Sequence, residues 1–283
     1  MTPSTGTRTT RTRVAAAARR LADAGVDSPR VDAELLAAHV LGVPRTRLVL
    51  APDLDDEASR RLDELVERRA AREPLQHLVG SAVLGPVSVA VGPGVFVPRP
   101  ETELLLTEGV ASLRGTAAPV VVDLCTGSGA LALALAVARP DARVWAVEAD
   151  PDALAWAARN LAGSGVELVE GDVTAPATLA ALDGTVDLLV ANPPYVPADT
   201  PVSAEVGHDP AHAVFAGPDG LDVIRPLAGT AARLLRPGGR LAVEHDESHA
   251  AEVLTVLAHA GFTDRGTRVD LAGRPRVAVA TRA

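Results

Sequence analysis

Cysteine is nearly absent from this sequence of 283 residues, Cys125 being the only one. A single thiol excludes an internal disulfide framework and any metal site built from several cysteines, and a reducing cytoplasm is the setting it suggests. Lysine is absent altogether, so the 27 basic residues are all arginine, which beside so much alanine reads as genome composition rather than function. Positive charge is the minority sign: 36 acidic residues leave a net charge of −9, which argues against a partner tracked along its phosphate backbone. No direct nucleic-acid partner is therefore expected. Long apolar runs are missing too. The most apolar stretch, 130–138, is too short to cross a bilayer and reads as a buried helix, so no membrane association is expected. The start, residues 1–13, is rich in Thr and Arg without an acidic residue, and reads as a frayed tail rather than a targeting or nucleic-acid arm.

What is present is a globular composition, 47% hydrophobic and 22% charged, over a length that suits one large α/β domain plus a smaller one. The first third reads as helices. Residues 11–24 end at Gly25, residues 32–41 stop at Gly42, and Asp55 and Asp56 cap a third helix running to about Arg72, closed by Pro74. Residues 76–98 change character: Val87, Val89 and Val91 alternate with small or polar residues between Gly-Pro pairs, the pattern of a hairpin. From Pro119 onward strands at 120–124, 144–147, 166–169, 186–191 and 240–244 alternate with helices at 130–138, 151–161 and 221–235. That rhythm predicts a doubly wound, Rossmann-like α/β sheet, mostly parallel. The turn at Gly273 between strands 262–269 and 276–281 is too short for a crossover, so the last strand should run antiparallel. The expected division is a helical domain over 1–75, a hairpin linker over 76–98 and an α/β domain over 99–283. A monomer is expected.

Two loops carry the chemistry. The first, Asp123-Leu124-Cys125-Thr126-Gly127-Ser128-Gly129, follows a strand and opens a helix, where glycines let the backbone approach a ligand closely. Glu148 ends the next strand about 20 residues on, where a carboxylate can accept both hydroxyls of a ribose. The dinucleotide fingerprint is incomplete, since Ala132 stands where the third glycine belongs, and Asp123 would repel a pyrophosphate. The same carboxylate can hold the ammonium of a methionine moiety, directly or through water. Asp172, followed by Val173, comes after the third strand and can accept from an adenine amino group. Three acidic residues at successive strand ends suit S-adenosylmethionine better than NAD.

The second loop is Asn192-Pro193-Pro194-Tyr195, after the fourth strand. A planar amide or exocyclic amine is a poor nucleophile because its lone pair is delocalised. Acceptors placed on its N–H groups, here the Asn192 side-chain oxygen and the Pro193 carbonyl, can twist it and raise electron density on nitrogen. Pro194 restricts Pro193 to extended backbone and so aims that carbonyl, while Tyr195 offers a flat face for stacking. The reaction expected is in-line displacement at a sulfonium methyl, catalysed mainly by orientation. With few aromatics to spend, the placement of Phe96 beside Pro98-Arg99-Pro100-Glu101-Thr102-Glu103 also carries information. The run reads as an arm entering a helix, with Glu101 and Glu103 favouring its positive end; Phe96 and Arg99 are candidates to wall a substrate pocket. Glu205, His208, Asp209 and His212 match no strong ligand spacing and read as solvated loop residues, so no metal is expected. Trp145 and Trp156 read as core.

Taken together, these residues resemble the release-factor glutamine methyltransferases, the HemK/PrmC family, across nearly the whole chain. The shared landmarks are Arg72-Glu73-Pro74-Leu75-Gln76, the Pro98–Glu103 run, Asp123 through Gly129, Asn192 through Tyr195, Gly217-Pro218-Asp219-Gly220-Leu221 and Asp270-Leu271-Ala272-Gly273-Arg274. The resemblance implies methylation of the side-chain nitrogen (N5) of the glutamine in the Gly-Gly-Gln loop of class I peptide chain release factors, with the helical domain helping to dock the factor. It implies that Asn192, Pro193, Pro194, Tyr195 and Phe96 hold the glutamine, with Arg99 expected beside them from its place in the run. By the same pattern Cys125, Thr126, Gly127, Ser128, Gly129, Glu148, Asp172 and Val173 would hold the cofactor, and Asp123 and Asn192 are expected to contribute beside them. The chain departs from the family pattern at Cys125, where Gly is common, at His77, where an aromatic is common, and at His208-Asp209-Pro210, where a Glu-Pro pair is frequent. The alternative is an amino-methyltransferase acting on adenine N6 or cytosine N4 of DNA or RNA, which shares the Asn-Pro-Pro-Tyr tetrapeptide but needs a base flipped into it.

Overall fold

The computed structural model describes residues 9–283, which fall into two compact units, one of 9–80 together with 203–208, the other of 81–202 and 209–283. Residues 1–8 of the expected tail lie outside the described residues. Residues 10–13 of that tail are helical instead, because the Thr9 side chain accepts from the Thr12 N–H and caps the first turn.

The first unit is built on α1 (Thr10–Asp23), α2 (Pro29–Leu41), α3 (Asp56–Ala70) and the short α4 (Leu75–Val79). Gly42 closes α2 in the left-handed conformation, and Asp55 caps α3 by accepting from Ala58 N–H. Val14, Leu21, Leu36, Leu62 and Val66 make its core. At their edge sits a buried ion pair, Arg69 with Asp32 at 2.8 Å. Residues 203–208 bring Glu205 into this unit. Its Oε1 accepts from Arg69 Nη2 at 3.0 Å and Arg72 Nε at 2.7 Å, and its Oε2 from Arg72 Nη2 at 2.8 Å.

The second unit opens with a hairpin, β1 (Ser81–Leu84) and β2 (Val87–Ala90). Residues 76–79, expected as part of that hairpin, belong to α4, since Pro74 starts a new turn of helix that Gly80 ends. After α5 (Glu103–Ser112) the elements run β3 (Val120–Leu124), α6 (Ala130–Ala138), β4 (Arg143–Glu148), α7 (Pro151–Leu161), β5 (Glu167–Glu170), β6 (Val186–Ala191), α8 (Ala211–Val214), α9 (Ile224–Leu234), β7 (Leu235–Glu244), α10 (Ala250–His259), β8 (Phe262–Val269) and β9 (Pro275–Arg282). The seven-stranded sheet has the order β5-β4-β3-β6-β7-β9-β8, parallel except for β9, which pairs antiparallel with both β7 and β8. The last strand is thus antiparallel as expected. Asp270 makes the tight turn before it, accepting from the N–H groups of Ala272 and Arg274 and from the Arg274 guanidinium.

Central strands β3 and β6 are covered on both faces, which is why they read as unbroken apolar runs. Val121, Leu188 and Val190 face one core with α6 and the hairpin; Val122, Leu124 and Leu189 face the other with α9 and α10. Trp145 and Trp156 are half-buried against these cores rather than within them. No helix among the described residues is long and apolar enough to cross a membrane.

The Glu205 contacts have a pH consequence. Burial opposes its charge, but hydrogen bonds and attraction from Arg72 and Arg69 outweigh that and hold it at about 2. Because this lies below the ordinary carboxylate value, the contribution to stability is present above about pH 4.5 and is lost as pH falls towards 2. Glu205→Gln should therefore cost about 2 kcal/mol at pH 7, and the gap to the parent protein should close on acidification. Urea unfolding at pH 7 and pH 3 checks it; a gap that is the same at both pH values would contradict the assignment.

Candidate active site

Strand order reverses between β3 and β6: β4 and β5 continue one way from β3, β7 the other from β6. Ligands of open α/β sheets bind at such a switch point, beyond the carboxyl ends of the strands. Here Leu124 of β3 is paired with Ala191 of β6, so the glycine loop and Asn192-Pro193-Pro194-Tyr195 leave neighbouring parallel strands at the same level.

The glycine loop is shaped from beneath by Asp123. This carboxylate is 1% exposed, and its Oδ2 accepts from the Thr126 hydroxyl at 2.6 Å and from Ala132 N–H, in the first turn of α6, at 3.1 Å. Burial pushes Asp123 up to about 7 against those two hydrogen bonds, with the charge of Glu148 adding to the rise. Cys125 has φ +59, in the left-handed region that favours glycine, which accounts for glycine being common there in the family pattern. Burial and the three carboxylates Glu148, Asp123 and Asp172 raise its thiol well above the ordinary value, so it stays protonated and a poor nucleophile.

Glu148 ends β4 and draws the loop towards it. Its Oε2 accepts from Gly127 N–H at 2.8 Å, and its Oε1 from Ala149 and Asp150 N–H at 2.9 Å each. A carboxylate oxygen has two lone pairs, so Oε2 retains capacity for one hydroxyl donor. Asp172 is exposed, and its Oδ1 accepts from the backbone N–H and hydroxyl of Thr174. Val173 is buried beside β3 and β7, its carbonyl accepting from Thr230. Asp123 and Asp172 are thus bonded to N–H and O–H groups and Glu148 to N–H groups, and none of the three pairs with an arginine among the described residues. Three carboxylates at successive strand ends without a paired cation suit a positively charged nucleoside and fit S-adenosylmethionine.

In the second loop, Asn192 Nδ2 lies 3.2 Å from Thr102 Oγ1, and the Tyr195 hydroxyl donates to Glu244 Oε1 at 2.9 Å. The chain beyond Tyr195 pairs with the 214–217 segment, through Val196 N–H to Val214 O and Ala216 N–H to Val196 O. Gly220 packs on its back: φ is +72, and a Cβ there would lie 2.3 Å from the Tyr195 carbonyl oxygen. That close approach is the reason for glycine in the Gly217–Leu221 landmark.

Phe96 and Arg99 come together, with the guanidinium 5.3 Å from the ring centroid, within range of a cation–π contact. They are held by Asp209, whose carboxylate accepts from Val97 N–H at 3.2 Å and from Arg99 Nη2. Asp209 was expected to be a solvated loop residue and is not: it is 7% exposed. His212 contacts Asp150 at 3.2 Å. Glu101 and Glu103 lie in first helical turns as expected, and their side chains also reach other partners: Glu101 contacts Arg274 at 3.3 Å, and Glu103 accepts from Gly85 N–H in the hairpin turn.

The residues that sequence reasoning passed over are Thr102, Asp209 and Glu244. Glu244 is an acidic residue closing an apolar strand at the level of Asn192, the same signal that singled out Glu148. Replacing Gly220 by Ala should displace Tyr195 and lower stability by roughly 1–3 kcal/mol, with a matching loss of catalytic turnover. Thermal unfolding of Gly220→Ala measures the first; an unchanged melting temperature would mean that the close packing on Tyr195 is not needed.

Comparison with known proteins places these loops in context. Residues 14–80 match the family model described as PrmC N-terminal domain, and residues 90–209 that described as Methyltransferase small domain. The release factor glutamine methyltransferase of Mycolicibacterium smegmatis is 57% identical over 96% of this chain and 97% of its own. That of Mycobacterium tuberculosis is 51% identical over 94% of this chain and 89% of its own. The protein of the same name from Streptomyces coelicolor is 50% identical over 95% and 97% respectively.

Proposed function

Because the chain belongs to the release factor glutamine methyltransferase family, we infer that it transfers the methyl group of S-adenosylmethionine to the side-chain amide nitrogen (N5) of a glutamine in a peptide chain release factor. The glutamine is that of the Gly-Gly-Gln loop of class I factors. The observation that carries this reading is the β3–β6 register, which delivers a cofactor loop and an amide-orienting tetrapeptide side by side.

S-adenosylmethionine, when bound, supplies an electrophilic methyl on its sulfonium. Asp123, the Cys125-Thr126-Gly127-Ser128-Gly129 turn, Glu148 and Asp172-Val173 would hold it, with Asn192 contributing from the neighbouring strand end. Asn192 Oδ1 and the Pro193 carbonyl accept from the two N–H groups of the substrate amide, which localises the nitrogen lone pair. Tyr195 and Phe96 flank the amide plane, and Arg99, fixed by Asp209, keeps Phe96 in place. Orientation of this kind contributes up to roughly 7–11 kcal/mol in well-aligned reactions.

Asn192→Ala should lower kcat by more than 100-fold while changing the Kd for S-adenosylmethionine by less than threefold. Single-turnover kinetics beside calorimetric titration measure the two quantities, and equal losses in both would remove the orientation role. The reaction itself is tested with labelled S-adenosylmethionine, a purified release factor, the same factor with its loop glutamine changed to alanine, and single- and double-stranded DNA. Label in the native factor alone supports this reading; label in nucleic acid alone would instead assign an amino-methyltransferase.

The helical unit serves as the docking element. Support comes from Val49 and Leu50, which are 87% and 84% exposed, adjacent and beside Arg47. Changing both to Ser should raise KM for the release factor several-fold with kcat and cofactor affinity intact. An unaltered KM would move the docking surface elsewhere.

A further inference from the structure

Glu244 is the last residue of β7 and is 1% exposed. One of its oxygens reaches Tyr195 directly, and the other reaches Thr102, the neighbour of Asn192. Oε2 accepts from the hydroxyl of Thr102, itself 5% exposed, at 3.0 Å; Oε1 accepts from the Tyr195 hydroxyl at 2.9 Å. Thr102 lies in turn 3.2 Å from Asn192 Nδ2.

We propose that Glu244 is a positioning residue that, through Thr102, selects which atom of the Asn192 amide faces the substrate, and that it pins Tyr195 at the same time. The inference rests on the role given to Asn192 under the proposed function. A hydroxyl has one proton, and an ionised carboxylate only accepts. The Thr102 proton is therefore committed to Glu244, leaving Thr102 a lone pair to show to Asn192. Only the NH2 of Asn192 complements a lone pair, so Oδ1 is turned the other way, as an acceptor for the substrate N–H. Protonation of Glu244 reverses the logic. The carboxyl can then donate to Thr102, whose own proton is free to meet Asn192 Oδ1, and the amide would present NH2 groups to NH2 groups.

Burial, tempered by the groups facing Glu244, places this switch near neutrality. Burial pushes it up to about 7, opposed by the Tyr195 and Thr102 hydrogen bonds and by Arg276 on β9, and aided by Glu101 from the turn before α5. Asp246, two residues along the chain, acts on Tyr195, and burial with the charge of Glu244 keeps that phenol neutral. His245 points elsewhere, with its ring nitrogens near the Asp246 carbonyl and the Thr267 hydroxyl. A buried acid whose value is raised on folding gives its full stability below about pH 4.5 and loses it as pH rises through about 7. At pH 8 the ionised Glu244 is therefore a cost to the fold, retained where a neutral residue would be more stable.

The test uses the full-length enzyme, a release factor as substrate and saturating S-adenosylmethionine, so that titration of Asp123 acting through cofactor affinity does not enter. In the parent enzyme kcat should fall about tenfold per pH unit below about 7. Glu244→Gln keeps an acceptor for Thr102 and cannot titrate. It should retain kcat within about tenfold at pH 8, lose the acid limb, and melt higher than the parent at pH 8 but not at pH 4. Glu244→Leu removes the acceptor and should lower kcat more than 100-fold with the Kd for S-adenosylmethionine within threefold. Tyr195 is the only tyrosine in the sequence, so tyrosine labelled with 13C at Cζ alone gives one ring resonance. That resonance should shift with a midpoint near pH 7 in the parent and stay flat in Glu244→Gln, a readout independent of turnover and of whether Glu244→Leu folds. An acid limb that persists in Glu244→Gln, full turnover by Glu244→Leu, or a flat tyrosine titration in the parent would each overturn the proposal. Failure of the parent enzyme to label any release factor would instead count against the reaction assigned above, and the tyrosine titration would still decide the Glu244 coupling.

Discussion

Everything at the active site depends on the backbone pairing of β3 with β6. Parallel hydrogen bonds hold Leu124 level with Ala191, and the order of the sheet reverses there, so two loops from distant parts of the chain emerge together with no crossover helix between them. One loop offers glycine-rich backbone and the other an aimed amide and two prolines. A slip of one residue in this register would exchange the faces of Leu188, Leu189 and Val190 between the two cores, which burial of both faces forbids.

Around that frame, carboxyl groups do three different kinds of work. Glu148 and Asp172 use part of their capacity on backbone N–H groups and leave the remainder, unpaired with arginine, at strand ends. Asp123 and Glu244 are buried at the ends of β3 and β7 and pushed towards neutrality, each bonded to a threonine hydroxyl. Asp209 and Glu205 are charged anchors for arginines, the first within the α/β unit and the second within the helical unit. The chain carries both in one excursion after Tyr195, leaving the α/β unit at Val202 and re-entering it at Asp209. Within the helical unit, the arginines that donate to Glu205 include Arg72, the first residue of a shared family landmark.

Local chemistry made much of this legible in advance. A strand that is apolar at every position is recognisable because both its faces are buried, and an Asp before a helix because it satisfies an orphan N–H. Helices α6 and α7 and strands β3, β6 and β8 start and stop where hydrophobic runs and Gly or Pro punctuation indicate. Glycine-loop, acidic strand-end and Asn-Pro-Pro-Tyr signals are short-range patterns, and together with the Pro98–Glu103 run they lead to the family before any coordinates. The misplaced details are those with a long-range cause. Asp209 looks like a solvated loop residue by position and is buried instead, because Val97 N–H and Arg99 reach it from more than a hundred residues away.

By itself, then, the sequence determined most of the element types, the parallel sheet with its antiparallel last strand, the cofactor class and the family, since each depends on periodicity or on neighbours within a few residues. Only the tertiary structure decided which side chains stand behind that tetrapeptide. Thr102 and Glu244 lie 90 and 49 residues from the groups they hold, Asn192 and Tyr195, and Asp209 lies 110 residues from Arg99. A buried carboxylate and a solvated one are the same letter. What separates them is dielectric surroundings and available donors, and these exist only once the strands have come together.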